Sequence, residues 1–190
     1  MPAGGHRPPL DRHPPLPFIG AVSMTLDQLN ALTTAEFTAT LGGIFEHSPW
    51  IAAAAAPARP FADVAALHAA MVTAMRAAPH ERQLALIRAH PELAGKEAAA
   101  GTLTADSRGE QASAGLDQCT AAELAQLRAL NAAYRERHGF PFVIAVRGLT
   151  RHQILAALAH RIENTSEAEF DTCLQQIARI ARLRLEALLA

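Results

Sequence analysis

Apolar residues recur at intervals of three and four along most of the chain, which is the spacing of a helix with one buried face. Examples are Phe37, Leu41, Ile44 and Phe45, then Leu124, Leu127, Leu130 and Tyr134, then Phe170, Ile177, Ile180 and Leu185. No alternating strand pattern of useful length interrupts them. The pattern predicts an all-α fold, a single domain of about eight helices whose unequal connections favour an irregular bundle.

Polar residues at the boundaries of these runs predict where the helices begin. Thr25, Thr33 or Thr34, and Asp63 are candidate N-caps, and Ser48 precedes a proline suited to a first helical turn. Three capping boxes are expected, at Thr120/Glu123, Thr150/Gln153 and Ser166/Glu169. Gly139 is expected to end the long helix that contains Tyr134.

Three stretches depart from the helical pattern. Residues 1–23 are rich in proline and glycine and predict a flexible arm before a helical domain over 24–190. Residues 140–148 contain Pro141 and predict an extended segment through the core. Residues 89–111 are uneven and polar, with a His-Pro pair and a Ser-Arg-Gly-Glu-Gln run, and predict the wall of an active site.

The charge and the cysteines narrow the classes of partner. The net charge of −1 gives no electrostatic reason to expect nucleic acid or an anionic membrane. No apolar run approaches the roughly 18 residues of a membrane span, so a cytoplasmic protein is expected. Cys119 and Cys173 form no CxxC pair, and the histidines show no metal-binding spacing, so no metal site is expected.

Three side chains are candidates for chemistry, each with an ordinary structural alternative. His90 follows a predicted helix, whose dipole would favour the imidazolium, and is either an acid–base group or a surface histidine. Glu110 is a site residue, a solvated carboxylate, or the capping-box partner of Ser107. Arg147 ends an apolar run and either extends to solvent or faces a pocket.

Five blocks, in this order along residues 25–185, resemble the 2-oxo-4-hydroxy-4-carboxy-5-ureidoimidazoline (OHCU) decarboxylases of urate degradation. They are Phe45-Glu46-His47-Ser48-Pro49-Trp50, His90-Pro91-Glu92-Leu93-Ala94-Gly95-Lys96, Ser107-Arg108-Gly109-Glu110-Gln111, Phe140-Pro141-Phe142-Val143-Ile144-Ala145-Val146-Arg147-Gly148 and Ile180-Ala181-Arg182-Leu183-Arg184-Leu185. The proline-rich arm is a departure, because the family's core does not need it.

The resemblance implies an all-helical, usually dimeric enzyme without a cofactor, which converts OHCU to (S)-allantoin and CO2. It implies that His90 is the acid–base group, assisted by Glu110 and Arg147. The substrate-binding residues that it implies are Pro91, Ser107, Arg108, Gly109, Glu110, Gln111, Phe142, Val143, Ile144, Ala145, Val146 and Arg147.

Two other classes of function remain open from the sequence. A non-enzymatic helical interaction module would tolerate substitution of His90 and Glu110 and would have no pocket beside His90. A thiol-dependent helical enzyme, similar to peroxidase-like decarboxylase relatives, would need a reactive cysteine.

Overall fold

The computed structural model describes residues 24–189, without the side chain of Glu97, and within them it contains ten α-helices and no strand. This confirms the all-α prediction, and eight of the ten helices have seven residues or more. The helices are α1 Leu26–Ala31, α2 Thr34–Leu41, α3 Pro49–Ala55, α4 Val64–Ala77, α5 His80–Ala89, α6 Lys96–Ala100, α7 Ala105–Ser113, α8 Ala121–His138, α9 Arg151–Arg161 and α10 Ser166–Leu188. The predicted arm, residues 1–23, lies outside the described residues.

Most of the predicted helix starts are confirmed by hydrogen bonds. Thr25, Thr33, Thr120 and Thr150 each accept a bond from the backbone three residues later and form a capping box, and Asp63 caps α4. Gly139 ends α8 with a left-handed φ of 79°. Such caps depend on a few neighbouring residues, which is why the sequence predicts them well.

Two predicted caps differ from the structure. Ser48 stands before Pro49 at the start of α3, but its side chain makes no capping hydrogen bond. The predicted box at Ser166/Glu169 is wrong, because Thr165 caps α10 by accepting from the backbone of Ala168. Glu169 is instead turned into the core.

The long C-terminal helix α10 is central to the fold and packs against α4, α5 and α8. Its inward residues include Cys173, Leu174, Ile177, Ala181 and Leu185. They belong to the same hydrophobic core as fully buried side chains such as Phe37, Leu67, Met71 and Tyr134. Burial of so much apolar surface is the main stabilising contribution, and it places α5, α7 and α10 around one region of the molecule.

The predicted extended segment is present between α8 and α9, with Phe142, Val143, Ala145 and Val146 buried. Its backbone polar groups are bound by side chains from other elements, as buried groups require. The amide of Ala145 donates to Gln176 Oε1 at 3.0 Å, and the carbonyl of Val143 accepts from Arg161 Nη1 at 2.9 Å.

Arg161 belongs to a buried polar network behind this segment. It forms an ion pair with Glu169 at 2.7 Å, and its guanidinium lies 4.5 Å from the ring centre of Phe142. Glu169 also accepts hydrogen bonds from Tyr134 and Asn164. The network therefore ties α8, α9 and α10 to the extended segment.

No helix among residues 24–189 has the length and apolar character needed to span a membrane.

Candidate active site

His90 is held at the end of α5, where the chain leaves the helix in an extended conformation. Its Nδ1 lies 2.9 Å from the carbonyl oxygen of Leu86, and the residue is 7% exposed. A carbonyl oxygen can only accept, so Nδ1 carries the proton of this hydrogen bond. In the neutral ring the lone pair is therefore on Nε2, where it can act as a base.

The prediction that the helix dipole favours a protonated His90 is wrong. Burial lowers the pKa of His90 to about 4, although the Leu86 carbonyl and the charge of Glu46 favour the protonated form. Arg184 and His47 also disfavour a positive charge there. The desolvation cost outweighs the effect of the helix end, and the imidazole is neutral near pH 7.

Arg184 of α10 is the cation at the centre of the site, and it is bound by two carboxylates. Its Nε and Nη2 donate to the two oxygens of Glu110 at 2.8 and 2.9 Å, a bidentate pair. Its Nη1 donates to Glu46 at 2.9 Å and to the Gly43 carbonyl at 3.3 Å. Such a fork of hydrogen bonds fixes the guanidinium plane.

These contacts explain the charge states of the cluster. Burial raises the pKa of Glu46, but its hydrogen bond and ion pair with Arg184 outweigh burial and leave that pKa below its usual value. Burial likewise lowers the pKa of Arg184, whereas Glu110 and Glu46 raise it to a net increase. Both carboxylates therefore face a permanently charged guanidinium.

Ser107 enters the site from the first turn of α7 and not as its cap. Thr104 caps this helix by accepting from the backbone of Ser107, which excludes the alternative of a Ser107/Glu110 capping box. The Ser107 hydroxyl lies 3.2 Å from Glu46 Oε2 and 3.3 Å from Arg184 Nη2. Ser107 and Glu110, three residues apart, share the face of α7 that meets Arg184.

A small cavity of about 30 Å³ joins these groups, and seven of the predicted substrate-binding residues line it together with His90. They are Pro91, Ser107, Glu110, Gln111, Phe142, Val143 and Ile144. Gln111 also braces the loop after His90, because its Oε1 accepts from the amide of Ala94 at 3.0 Å.

The remaining predicted residues lie elsewhere. Gly109 and Arg147 line a neighbouring cavity of about 520 Å³, which shares Glu110 and Arg184 with the small one. Arg108 is exposed and donates to the carbonyls of Gly101 and Leu103. Ala145 and Val146 belong to the hydrophobic core.

Arg184 and Glu46 belong to the site but were not among the predicted site residues. Their signal was available, because Arg184 stands four residues after Ile180 and seven after Ile177, on the inward face of α10. A charged residue on an apolar helix face needs a partner. The sequence could not show that this partner would be Glu110, 74 positions away.

The described residues contain no group of three or more histidine, cysteine, aspartate or glutamate side chains suited to a metal ion. Burial raises the pKa of both Cys119 and Cys173, so neither thiol is activated as a thiolate. The cavity beside His90 and the unactivated thiols disfavour the interaction module and the thiol-dependent enzyme, respectively.

The fold and the site together define a helical protein with a buried neutral histidine and an arginine held by two carboxylates beside one cavity. The family model described as OHCU decarboxylase matches residues 30–186. The chain belongs to this OHCU decarboxylase family, and the predictions of the family and of a carboxy-lyase in urate degradation are confirmed.

Individual relatives agree with this assignment. A 2-oxo-4-hydroxy-4-carboxy-5-ureidoimidazoline decarboxylase of Haloferax volcanii is 42% identical over 162 residues, covering 85% of this chain and 94% of that protein. The uric acid degradation bifunctional protein PucL of Bacillus subtilis is 45% identical over 161 residues, 85% of this chain, which spans only 32% of that longer protein. The crystal structure of an (S)-allantoin synthase superposes with a TM-score of 0.71 at 34% identity, over 87% of this chain and 54% of that one.

Proposed function

We propose that this chain decarboxylates OHCU to (S)-allantoin and CO2 in the cavity beside His90. The observation that carries the proposal is the fixed, neutral imidazole of His90 lining the same cavity as the Glu110–Arg184 pair. A base with a defined tautomer and a charged hydrogen-bonding pair are the groups that this reaction needs.

The substrate provides its own electron sink. Its carboxylate is on a ring carbon that also carries a hydroxyl and is next to a C=N bond. When the carbon–carboxylate bond breaks, its electron pair forms a C=C bond, and the C=N electrons move to nitrogen, which takes up a proton. The neighbouring carbon is then protonated while the hydroxyl loses its proton and becomes the carbonyl of allantoin. The enzyme must orient the substrate and direct these protons.

His90 is proposed as the group that moves the protons. Its Nδ1–H is engaged by Leu86, so Nε2 is the atom that accepts the proton of the substrate hydroxyl. The imidazolium formed then delivers a proton to one face of the planar intermediate. Burial makes the imidazolium unstable by itself, but the negative charge that proton removal leaves on the bound intermediate would stabilise it.

Arg184, Glu110 and Ser107 are proposed to bind the polar groups of the substrate. Arg184 stabilises negative charge on the ring oxygens, and Glu110 accepts from the ureido N–H groups. Glu110 is not needed to orient His90, because the Leu86 carbonyl already fixes that ring and both Glu110 oxygens bind Arg184. We therefore assign substrate binding to Glu110. Gln111 binds the ureido arm. Arg147 lines the adjoining cavity of about 520 Å³, and we keep the prediction that it assists His90.

The substrate requires more room than the small cavity provides, because about 30 Å³ accommodates roughly one water molecule. His90 also borders two cavities of about 260 and 220 Å³ on the sides of Arg88 and His47. We propose that the substrate binds where these spaces meet at His90, with Ile144 and Glu110 adjusting around it.

A homodimer and a cytoplasmic location are further parts of this proposal. The family resemblance supports the dimer, and the location stays a prediction from the sequence. Sedimentation equilibrium of the purified chain tests the dimer, with a mass near 40 kDa expected from two copies of a 20.2 kDa chain. A mass of one copy at micromolar concentration would refute it.

Replacement of His90 by asparagine tests the proposed reaction. Asparagine can still donate to Leu86 but cannot act as an acid or a base, so we expect the rate to fall by about 10²- to 10⁴-fold. Circular dichroism of freshly prepared OHCU follows both the rate and the handedness of the product. Decarboxylation without the enzyme protonates either face and gives racemic allantoin, so a loss of (S) excess should accompany the loss of rate.

The control is His160→Asn, which changes an exposed histidine of α9 and should leave both readouts unchanged. A His90→Asn protein with the normal helical spectrum and full stereospecific activity would refute the proposal.

A further inference from the structure

Glu46 is a buried carboxylate that lies outside the small cavity but contacts two of its walls. It stands between α2 and α3 and is 2% exposed. Its Oε1 accepts from the Thr104 hydroxyl at 2.9 Å, and its Oε2 accepts from Ser107 at 3.2 Å and from Arg184 at 2.9 Å. It therefore joins the loop after α2 to the start of α7 and to α10.

Packing alone does not require this arrangement. Removing a carboxylate from water is costly, and the ion pair that it forms in the interior often does not recover that cost. The backbone beside it is also unfavourable, because the next residue, His47, adopts a left-handed φ of 48°. Unfavourable conformations of this kind persist where surrounding contacts hold them, often at functional sites.

We infer that Glu46 is a positioning residue of the decarboxylation, which holds Arg184 and Ser107 against Glu110 and keeps a negative charge beside His90. The inference rests on the proposed function. Glu46 borders the cavity of about 220 Å³ on the His47 side of His90, but it does not line the small cavity beside Glu110 and Gln111. Its effect on the small cavity is therefore exerted through Arg184 and Ser107.

The geometry of Arg184 gives the first argument. Two of its nitrogens bind Glu110, the carboxylate that we assign to the substrate, and its Nη1 is anchored by Glu46 and by the Gly43 carbonyl. When a substrate competes for Glu110, Glu46 is the remaining charged anchor of the guanidinium. Without Glu46, Arg184 and Ser107 would have to find new positions, and displacement of about 1 Å can reduce a rate by roughly 10²-fold.

The charge balance gives the second argument. Glu46, Glu110 and Arg184 together carry one net negative charge, and the charge of Glu46 raises the pKa of His90 against the effect of burial. Other charged or titratable groups also border the cavities around His90, so the shift from Glu46 is one of several. The full set is Glu46, His47, Arg88, Glu92, Lys96, Glu110, Arg135 and Arg184.

The test is Glu46→Gln, which keeps the shape of the side chain and removes its charge. We expect kcat/KM to fall roughly 10- to 100-fold, because Arg184 and Ser107 are less well positioned. Activity needs neutral His90 and is lost as the pH falls through its pKa, so the acid limb of kcat/KM should move to lower pH. Ionisation of the substrate is the same for every variant and does not contribute to this difference.

The matched control is Glu169→Gln, which also removes a buried carboxylate paired with an arginine, in the network behind the extended segment. We expect it to lower the melting temperature without moving the acid limb. A Glu46→Gln protein that only loses stability, with its acid limb where the wild type has it, overturns the inference.

A second variant decides the matter if Glu46→Gln does not fold. Glu46→Asp keeps the charge but shortens its reach, so a reduced kcat with an unchanged acid limb supports positioning, and wild-type kinetics overturn it. Failure of the proposed function is distinguishable, because the unmodified chain would then produce no (S)-allantoin excess at all.

Discussion

Single residues determine the chemistry of the site through burial and hydrogen bonding. His90 is neutral because its ring is removed from water, and its tautomer is fixed because the Leu86 carbonyl accepts the Nδ1 proton. Arg184 remains charged in a similarly buried place because two carboxylates bind it. Similar burial thus leads to opposite charge states, because the partners of the two groups differ.

The low pKa of His90 predicts a dependence of stability on pH. The unfolded chain binds a proton at His90 below about pH 6.5, whereas the folded chain binds it only below about 4. The contribution of His90 to folding stability is therefore fully present above pH 6.5. It is lost as the pH is lowered to 4, which removes about 3 kcal/mol from the free energy of unfolding. Urea unfolding at pH 7 and pH 4.5 should show a smaller loss for His90→Asn than for the wild type.

The exposed His160 offers the comparison for this measurement, since His160→Asn should lose stability in parallel with the wild type. Equal losses for His90→Asn and the wild type would contradict a neutral, buried His90.

Residue identities in the site were only partly predictable from the sequence. His90, Ser107 and Glu110 stand in recognisable blocks, and the small cavity brings them together. The charge state of His90 was predicted wrongly, since helix position is visible in a sequence and burial is not. Arg184 and Glu46 were missed as site residues because their ion pair joins positions 138 apart.

Helices and their connections show the same division between local and distant causes. The caps at Thr25, Thr33, Thr120 and Thr150 follow from residues three apart, and the sequence predicted them correctly. Ser107 and Ser166 resemble caps equally well locally. Thr104 caps α7 and Thr165 caps α10 instead. Ser107 binds Glu46, and Glu169 binds Arg161, on other elements.

The extended segment over 140–146 depends on the Arg161–Glu169 pair, and this predicts a large effect of Arg161→Met. Glu169 is completely buried and would lose its cation, and the Val143 carbonyl would lose its donor. Removing one partner of a buried ion pair leaves the other charge without compensation, which lowers the free energy of unfolding by about 3–5 kcal/mol. Urea denaturation measures this, and a double variant with Glu169→Gln should lose less than the sum of the two single variants.

Arg182→Met is the control for that experiment. Arg182 pairs with Glu186 one turn further along α10, but both side chains are partly exposed to solvent, so a loss of about 0–1 kcal/mol is expected. A similar small loss for Arg161→Met would show that the network does not hold the segment.

The whole molecule brings α5, α7, α10 and the extended segment to one place from distant parts of the chain. The apolar periodicity was sufficient to predict an all-helical fold, because burial of one helix face is a local requirement. It could not show which helices meet, since side-chain packing decides that. The family resemblance connected the blocks before the structure showed His90, Glu110 and Arg184 around one cavity.

The most direct test of the central claim is a crystal structure of this chain with (S)-allantoin. The account predicts the ligand within hydrogen-bonding distance of His90 Nε2, with Glu110 and Arg184 binding its polar groups. Allantoin bound at full occupancy away from His90, with the small cavity unchanged, would contradict it.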